Sequence, residues 1–131
     1  MKQLILKPEL YKFQTCKEFA KEFELGENDL ILTNEYIFNP YFKELNLPVK
    51  TIFQEKFGAG EPTDIMVDAI INEASKYTFK RIIAIGGGTI IDIAKVLAVT
   101  NGESVDKLYD KKDELKKHYE LIIIPTTCGT G

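Results

Sequence analysis

Short apolar runs alternate along the chain with segments of helical periodicity. The runs Leu30–Thr33, Val49–Phe53, Arg81–Ile85 and Leu121–Ile124 are rich in aliphatic and β-branched residues, so each predicts a strand. Strands that alternate with helices favour a parallel sheet whose connections cross over its faces. The pattern therefore predicts the α/β fold class, with a parallel sheet and crossover helices.

The clearest helix is predicted between the second and third strands. Gly58, Gly60 and Pro62 interrupt the chain just before it. Thr63 is suited to cap its amino end, and Asp64 suits the positive end of the helix dipole. The expected buried face consists of Met66, Val67, Ile70, Ile71, Ala74 and Tyr77. The expected polar face consists of Asp68, Asn72, Glu73 and Lys76.

Two further helical segments and one charged segment complete the predicted order of elements. An aromatic segment after the first strand predicts a short helix packed against the sheet. The apolar segment Thr89–Val99 predicts a buried helix after the third strand, and Leu121–Ile124 predicts a buried last strand. The segment Asp106–Glu120 is rich in charge and predicts a solvated connection with some helix. The aromatic residues of the first segment are Tyr36, Phe38, Tyr41 and Phe42.

Composition limits the classes of function. Seventeen basic and twenty acidic residues among 131 give a net charge of −3, without a basic stripe. We therefore expect one globular domain and no nucleic-acid partner. Cys16 and Cys128 lack the spacing of a metal clip or a disulfide framework, and no apolar run approaches roughly 18 residues. These features predict reduced thiols, a cytoplasmic location and no membrane association.

Three polar or glycine-rich segments follow predicted strands, namely Thr33-Asn34, Gly86–Thr89 and Thr126–Gly131. Ligands of an open parallel sheet bind beyond the carboxyl ends of its strands, so we expect these segments to share an edge. The three successive glycines let backbone N–H groups approach an anion at the start of a helix. The turn therefore predicts a phosphate site, and a tight turn between two buried elements is the alternative explanation.

Polar residues around the glycine turn extend the candidate site. Asp92 and Lys95 lie in an otherwise apolar helix and are candidates for ligand binding. Alternatively, Asp92 favours the helix amino end and pairs with Lys95. Thr126 and Thr127 offer hydroxyls to phosphate or ribose, and a plain loop is the alternative there.

Other chemistries are not expected from these residues. The fingerprint G-x-G-x-x-G is not met, because Ile91 occupies the position of its third glycine. Cys128 has no paired base, since the single histidine, His118, precedes the last strand in the charged segment. We therefore expect no catalytic residue and no metal site within the chain itself.

Two motifs resemble those of a known family. Gly86–Lys95 reads G-G-G-T-I-I-D-I-A-K and resembles the G-G-G-S-x-x-D-x-A-K motif of iron-containing alcohol dehydrogenases. Pro125–Gly131 reads P-T-T-C-G-T-G and resembles the first seven residues of their P-T-T-x-G-T-G-S-E motif. Leu32–Glu35 and Phe53–Pro62 further resemble the 4-hydroxybutyrate dehydrogenases within that family. The resemblance extends over essentially the whole chain.

The resemblance implies a two-domain enzyme of which residues 1–131 form the first domain. That domain is Rossmann-like, as in dehydroquinate synthases, and binds NAD. A helical C-terminal domain, absent from this chain, supplies an aspartate and three histidines to a divalent metal, usually iron. The complete enzyme would transfer a hydride between a small alcohol or hydroxy acid and NAD, with 4-hydroxybutyrate and succinic semialdehyde as the implied pair. Residues 1–131 alone are expected to be inactive.

The resemblance also assigns cofactor-binding residues. It implies that the turn wraps the NAD pyrophosphate, that Thr126 and Thr127 contact the adenosine diphosphate portion, and that Asp92 and Lys95 help fix the nicotinamide half. Relatives often carry aspartate in place of Asn34. Asparagine can still form a hydrogen bond to the ribose, but it does not repel a 2′-phosphate as a carboxylate would. The implied set is Asn34, Gly86, Gly87, Gly88, Thr89, Ile90, Asp92, Lys95, Thr126 and Thr127.

Two alternative functions remain open on sequence alone. Glycerol dehydrogenases and dehydroquinate synthases share the implied architecture and a related glycine motif. A stand-alone nucleotide-binding module without catalysis would show the same features in these residues. A homo-oligomer is a further expectation, and the apolar surface that the implied second domain covers is an alternative explanation for self-association of residues 1–131 alone.

Overall fold

The apolar runs form a single parallel sheet. The computed structural model describes residues 16–126 and places β1 at Asp29–Thr33, β2 at Lys50–Phe53, β3 at Arg81–Gly86 and β4 at Glu120–Pro125. The strand order is β2-β1-β3-β4, and each neighbouring pair is parallel. Every residue of β1 is buried, as the continuous apolar run of an inner parallel strand requires. The predicted parallel sheet with crossover helices is confirmed.

Helices cover both faces of the sheet. They are α1 (Cys16–Glu22), α2 (Glu35–Tyr41), α3 (Asp64–Ala74), α4 (Gly88–Val99) and α5 (Val105–Asp110). Short 3-10 turns occupy Lys43–Leu45, Gln54–Phe57 and Lys112–Glu114. None of the helices between residues 16 and 126 has the length and apolarity needed to span a bilayer.

Alternation along the inner strands divides the core between the two faces. Leu30 and Ile82 belong to the cluster that includes α3 and α4, whereas Ile31 and Ile83 belong to the cluster that includes α1 and α2. The chain therefore leaves β1 onto one face, through α2, and leaves β3 onto the opposite face, through α4. Strands β2 and β4 lie on opposite sides of the inner pair, so the connection from β1 to β2 and the connection from β3 to β4 run in opposite directions along the sheet. Such a switch point leaves a crevice between the carboxyl ends of β1 and β3.

Helix α3 follows its sequence pattern except at its end. The Thr63 hydroxyl accepts a hydrogen bond from the Met66 N–H at 3.1 Å, as predicted for the cap. The predicted buried face is confirmed up to Ala74, where the helix ends. The prediction that Tyr77 lies on that face is wrong, because Tyr77 follows the end of the helix, is 37% exposed and donates its hydroxyl to Glu73. The buried residues are Met66, Val67, Ile70, Ile71 and Ala74.

Three other predictions are refined. Helix α2 forms as predicted and Phe42 is buried, but Tyr36 and Tyr41 are 75% and 54% exposed, because they point away from the sheet. Strand β4 is half-buried rather than buried, since it is an edge strand of the described sheet. The charged segment does contain helix, and α5 buries Val105 and Leu108.

An ion pair fixes the amino ends of the two inner strands. Arg81 donates to both carboxylate oxygens of Asp29, at 2.6 and 3.0 Å, and to the carbonyl oxygen of Phe23 at 2.7 Å. The Gly26 N–H donates to the same carboxylate at 2.8 Å. Hydrogen bonding to Asp29 raises the pKa of Arg81 further above its ordinary value. This pairing holds β1 and β3 in register at the edge opposite the crevice.

Candidate functional site

The carboxyl ends of three strands are held side by side. The Thr33 hydroxyl, which is fully buried, donates to the carbonyl oxygen of Ile85 at 2.6 Å and joins β1 to β3. The Thr126 N–H donates to the carbonyl oxygen of Gly86 at 3.0 Å and joins β4 to β3. The structure therefore brings Asn34, the glycine turn and Thr126 to one edge, whereas Thr127 and Cys128 lie outside the described residues.

The reason for a glycine at position 86 differs from the reason at positions 87 and 88. A Cβ at Gly86 would lie 2.7 Å from Cγ1 and 2.9 Å from Cβ of Ile90, so the close approach of helix to strand excludes any larger residue there. Within residues 16–126, a Cβ at Gly87 or Gly88 would come within 4 Å of no heavy atom beyond its chain neighbours and the backbone of α4 itself. Neither packing against the described residues nor a positive φ accounts for these two glycines. They leave open space in front of the backbone, as a ligand that contacts the main chain requires.

The first turn of α4 presents backbone donors at this place. Gly87 caps the helix without a side-chain hydrogen bond, and the Ile91 N–H is bonded to the Gly87 carbonyl oxygen at 3.0 Å. Within residues 16–126, the N–H groups of Gly88, Thr89 and Ile90 have no hydrogen-bond acceptor. The positive end of the dipole of this 12-residue helix adds to those donors. The arrangement is suited to an anion such as a phosphate.

Side chains of α4 differ in their access to the crevice. Ile90 is 2% exposed, so its side chain belongs to the core and only its backbone can serve a ligand. Thr89 and Lys95 are half-buried, and Asp92 is exposed in the second turn rather than the first. Among the described residues no ion pair joins Asp92 to Lys95, so the pairing considered from the sequence is not formed.

A polar network next to the crevice was missed by sequence reasoning. Asn34 donates its side-chain amide to Glu55 Oε1 at 3.0 Å and to Gln54 Oε1 at 3.2 Å. The Glu35 N–H donates to Glu55 Oε2 at 2.9 Å, and Gln54 Nε2 donates to the Gly58 carbonyl oxygen at 3.1 Å. A signal was available, because Gln54 and Glu55 are polar residues that directly follow a predicted strand.

The network lowers the pKa of the Glu55 carboxyl group. Partial burial raises the pKa of Glu55, but the hydrogen bonds from the Glu35 N–H and the Asn34 amide, together with its own backbone and Lys56, outweigh burial. The pKa of Glu55 therefore lies below its ordinary value, and the edge carries a fixed negative charge beside β1.

Two concavities lie at the opposite edge of the sheet. One, of about 180 Å³, is lined by residues that include Ser75, Asn101 and Tyr119. The other, of about 500 Å³, is lined by residues that include Lys80 and Arg81. Neither contains a residue of the two sequence motifs, so we assign no function to them. The part of the chain from 16 to 126 also contains no group of three or more His, Cys, Asp or Glu side chains able to hold a metal ion.

Comparison with known proteins identifies the family. The model of the iron-containing alcohol dehydrogenases matches residues 9–131, and the chain belongs to that family. It is 47% identical over 131 residues to the 4-hydroxybutyrate dehydrogenase of Clostridium kluyveri, a match that covers 100% of this chain and 35% of that protein. The chain thus spans about a third of the length of this relative. The resemblance inferred from the two motifs is confirmed.

Solved structures show the same fold. Sulfoacetaldehyde reductase from Bifidobacterium kashiwanohense, in complex with NAD+, superposes with a TM-score of 0.62 at 22% identity, over 86% of this chain and 31% of that one. An iron-containing alcohol dehydrogenase from Thermotoga maritima gives a TM-score of 0.62 at 21% identity, over 85% of this chain and 33% of that one. At these identities the likeness concerns the fold, and the predicted Rossmann-like class is confirmed.

Proposed function

We propose that residues 1–131 form the NAD-binding domain of a metal-dependent alcohol dehydrogenase. The observation that carries the proposal is the open space that residues 16–126 leave at Gly87 and Gly88, which neither packing among those residues nor backbone conformation explains. Together with the N–H groups that begin α4, which have no acceptor in the described part of the chain, this space fits a pyrophosphate. Family membership and the NAD complex of the Bifidobacterium kashiwanohense reductase support the same cofactor.

Each predicted site residue receives a role under this proposal. The N–H groups of Gly88, Thr89 and Ile90 bind the pyrophosphate, Gly87 leaves room for it beside the backbone, and the close packing of Gly86 fixes the direction of the turn. Thr126 and Thr127 hydrogen-bond the adenosine diphosphate portion from the end of β4. Asn34 lies on the ribose side of the crevice, and Asp92 and Lys95 lie on the nicotinamide side.

The chemistry of the complete enzyme is proposed to be hydride transfer. Bound NAD would supply the hydride acceptor, and this chain would hold it in a fixed orientation against the substrate. The divalent metal implied by the family does not fit the described residues, which provide no ligand cluster. We derive no step through the metal, and we expect residues 1–131 alone to have no dehydrogenase activity.

The proposed substrate pair is 4-hydroxybutyrate and succinic semialdehyde. The support is the 47% identity, over the whole chain, to the Clostridium kluyveri 4-hydroxybutyrate dehydrogenase.

The proposed setting is the cytoplasm, in keeping with the two isolated cysteines of the sequence. Self-association is proposed as well, because β4 is an edge strand of the described sheet, where it has four half-buried apolar residues and a row of backbone groups without a neighbouring strand among residues 16–126. Sedimentation at several concentrations measures it, and a strict monomer would contradict it.

A fluorescence titration with NADH tests the cofactor proposal. Saturable binding is expected for the wild-type chain, and Gly88→Asp should abolish it by placing a carboxylate against the pyrophosphate. Asn72→Asp is the matched control, because it adds the same charge at an exposed position of α3. Circular dichroism verifies that each variant is folded. A folded wild-type chain that does not bind NADH, or binding that Gly88→Asp leaves intact, would contradict the proposal.

A further inference from the structure

The Glu55 carboxylate is positioned at the end of β1, although Glu55 itself follows β2. Its two hydrogen-bond donors, the Asn34 side chain and the Glu35 N–H, both directly follow β1. They hold the carboxylate one strand nearer to the crevice than the Glu55 backbone. Strand β1 is the neighbour of β3, at whose end the glycine turn begins, so these hydrogen bonds draw the carboxylate from its own strand toward the turn.

The network requires an amide rather than a carboxylate at position 34. Both amide hydrogens of Asn34 are donated, one to Gln54 and one to Glu55. An aspartate there would have no hydrogen to donate and would oppose the carboxylate of Glu55. The chain therefore has an amide, that of Asn34, at the position where the family resemblance implies a carboxylate. The carboxylate belongs instead to Glu55, which the Asn34 amide orients.

The Glu55 carboxylate keeps the capacity to bind a diol. Oε1 accepts a hydrogen bond from the Asn34 amide and Oε2 accepts one from the Glu35 N–H, and a carboxylate has about four lone-pair sites, so acceptor capacity remains beside these two bonds and the backbone N–H of Glu55. A ribose presents two neighbouring hydroxyls as donors, whereas a 2′-phosphate would bring a second anion to the same place. Two further charged residues lie close to Glu55 in the chain. Glu35 is an exposed acid and Lys56, whose ammonium lies over the Phe53 ring at 5.8 Å, is a base, so their charges counteract each other.

We infer that Glu55 is the residue that selects NAD over NADP, by accepting the adenosine ribose hydroxyls and repelling a 2′-phosphate. Asn34 is then a positioning residue that acts through Glu55. This inference rests on the proposed function, because it takes the pyrophosphate to lie on the glycine turn and the adenosine to extend toward β1. It replaces Asn34 as the residue that decides the choice of cofactor.

Titrations with NADH and NADPH test the inference on the full chain. The wild-type chain is expected to prefer NADH, and Glu55→Gln should reduce that preference by about tenfold, the size of one charge interaction near a protein surface. The side-chain carbonyl oxygen introduced by this substitution can still accept from the Glu35 N–H, so the fold should persist. Glu120→Gln is the matched control, because it makes the same change at the exposed amino end of β4. It should leave the preference unchanged.

The reciprocal exchange separates recognition from a purely structural role. In the double variant Asn34→Asp/Glu55→Gln, an amide at position 55 can donate to a carboxylate at position 34, and the preference for NADH should recover. Binding of NADH with an unaltered preference in Glu55→Gln, or no recovery in the double variant, would overturn the inference alone. A folded wild-type chain that binds neither dinucleotide would overturn the proposed function, and the inference with it.

Discussion

Gly86 and Ile90 are in such close contact that a Cβ on the glycine would lie 2.7 Å from Cγ1 of the isoleucine. This contact joins the end of β3 to the first turn of α4 and sets the direction in which that turn points. Gly87 and Gly88, by contrast, have open space among the described residues where a side chain would be. The turn therefore contains one glycine that the described fold requires and two that it does not require.

The first prediction compares alanine at these positions. Gly86→Ala should destabilise the protein by about 1 to 3 kcal/mol, because the buried side chain of Ile90 has to move. Gly88→Ala should leave the free energy of unfolding unchanged or raise it by up to about 1 kcal/mol, since alanine favours the helix. Urea unfolding of both variants measures the difference. Equal losses at the two positions would contradict the distinction.

The second prediction concerns the hydrogen bond between the inner strands. Thr33→Val keeps the shape of the fully buried side chain but removes its hydroxyl, so the Ile85 carbonyl oxygen loses a donor. We expect a loss of about 1 to 2 kcal/mol in the free energy of unfolding. Thr33→Ser retains the donor and is the control for the hydrogen bond. A larger loss of unfolding free energy in Thr33→Ser than in Thr33→Val would contradict the prediction, because the methyl group would then contribute more than the hydrogen bond.

The third prediction concerns the ion pair at the opposite edge. Asp29→Ala leaves Arg81 partly buried without its carboxylate partner, and should cost about 2 to 3 kcal/mol. Because the pair lies away from the crevice, the folded variant should bind NADH with unchanged affinity. Thermal unfolding and a fluorescence titration measure the two effects. Loss of NADH affinity in the folded variant would contradict the prediction, because it would indicate that NADH binds at the amino ends of the strands.

The fourth prediction follows from the lowered pKa of Glu55. A carboxyl group with a depressed pKa in the folded state stabilises the fold above its unfolded pKa, about 4.3, and loses that contribution as the pH falls through its folded pKa. At neutral pH, wild type should therefore exceed Glu55→Gln in stability by a few tenths of a kcal/mol. The difference in melting temperature should shrink below about pH 4. A difference independent of pH would count against an ionised, hydrogen-bonded Glu55.

Much of the fold could be predicted because its core elements bury apolar side chains in simple periods. The Thr63 cap and the buried face of α3 follow from local sequence, and so do the four strands. Tyr77 could not be placed, because nothing in the periodicity indicates that the helix ends at Ala74. The half-burial of β4 depends on its position at the edge of the sheet, which strand order alone decides.

The candidate site divides in the same way. The glycine turn and the motif after β4 could be recognised because their residues are contiguous. The Asn34–Glu55 contact joins residues 21 positions apart, and it exists only because β2 lies next to β1. The distinction between Gly86 and the following glycines likewise depends on how closely α4 approaches β3, which spacing in the sequence does not reveal.

Backbone amide shifts during an NAD+ titration test the central claim most directly. The account predicts that, in the isotopically labelled chain, the largest shifts occur at Gly88, Thr89 and Ile90, with smaller shifts at Glu55. The amides of the first three residues begin α4 and have no acceptor within the described residues. Largest shifts at the opposite edge, around Asn101 and Gly102, or no shifts at saturating NAD+, would contradict the account.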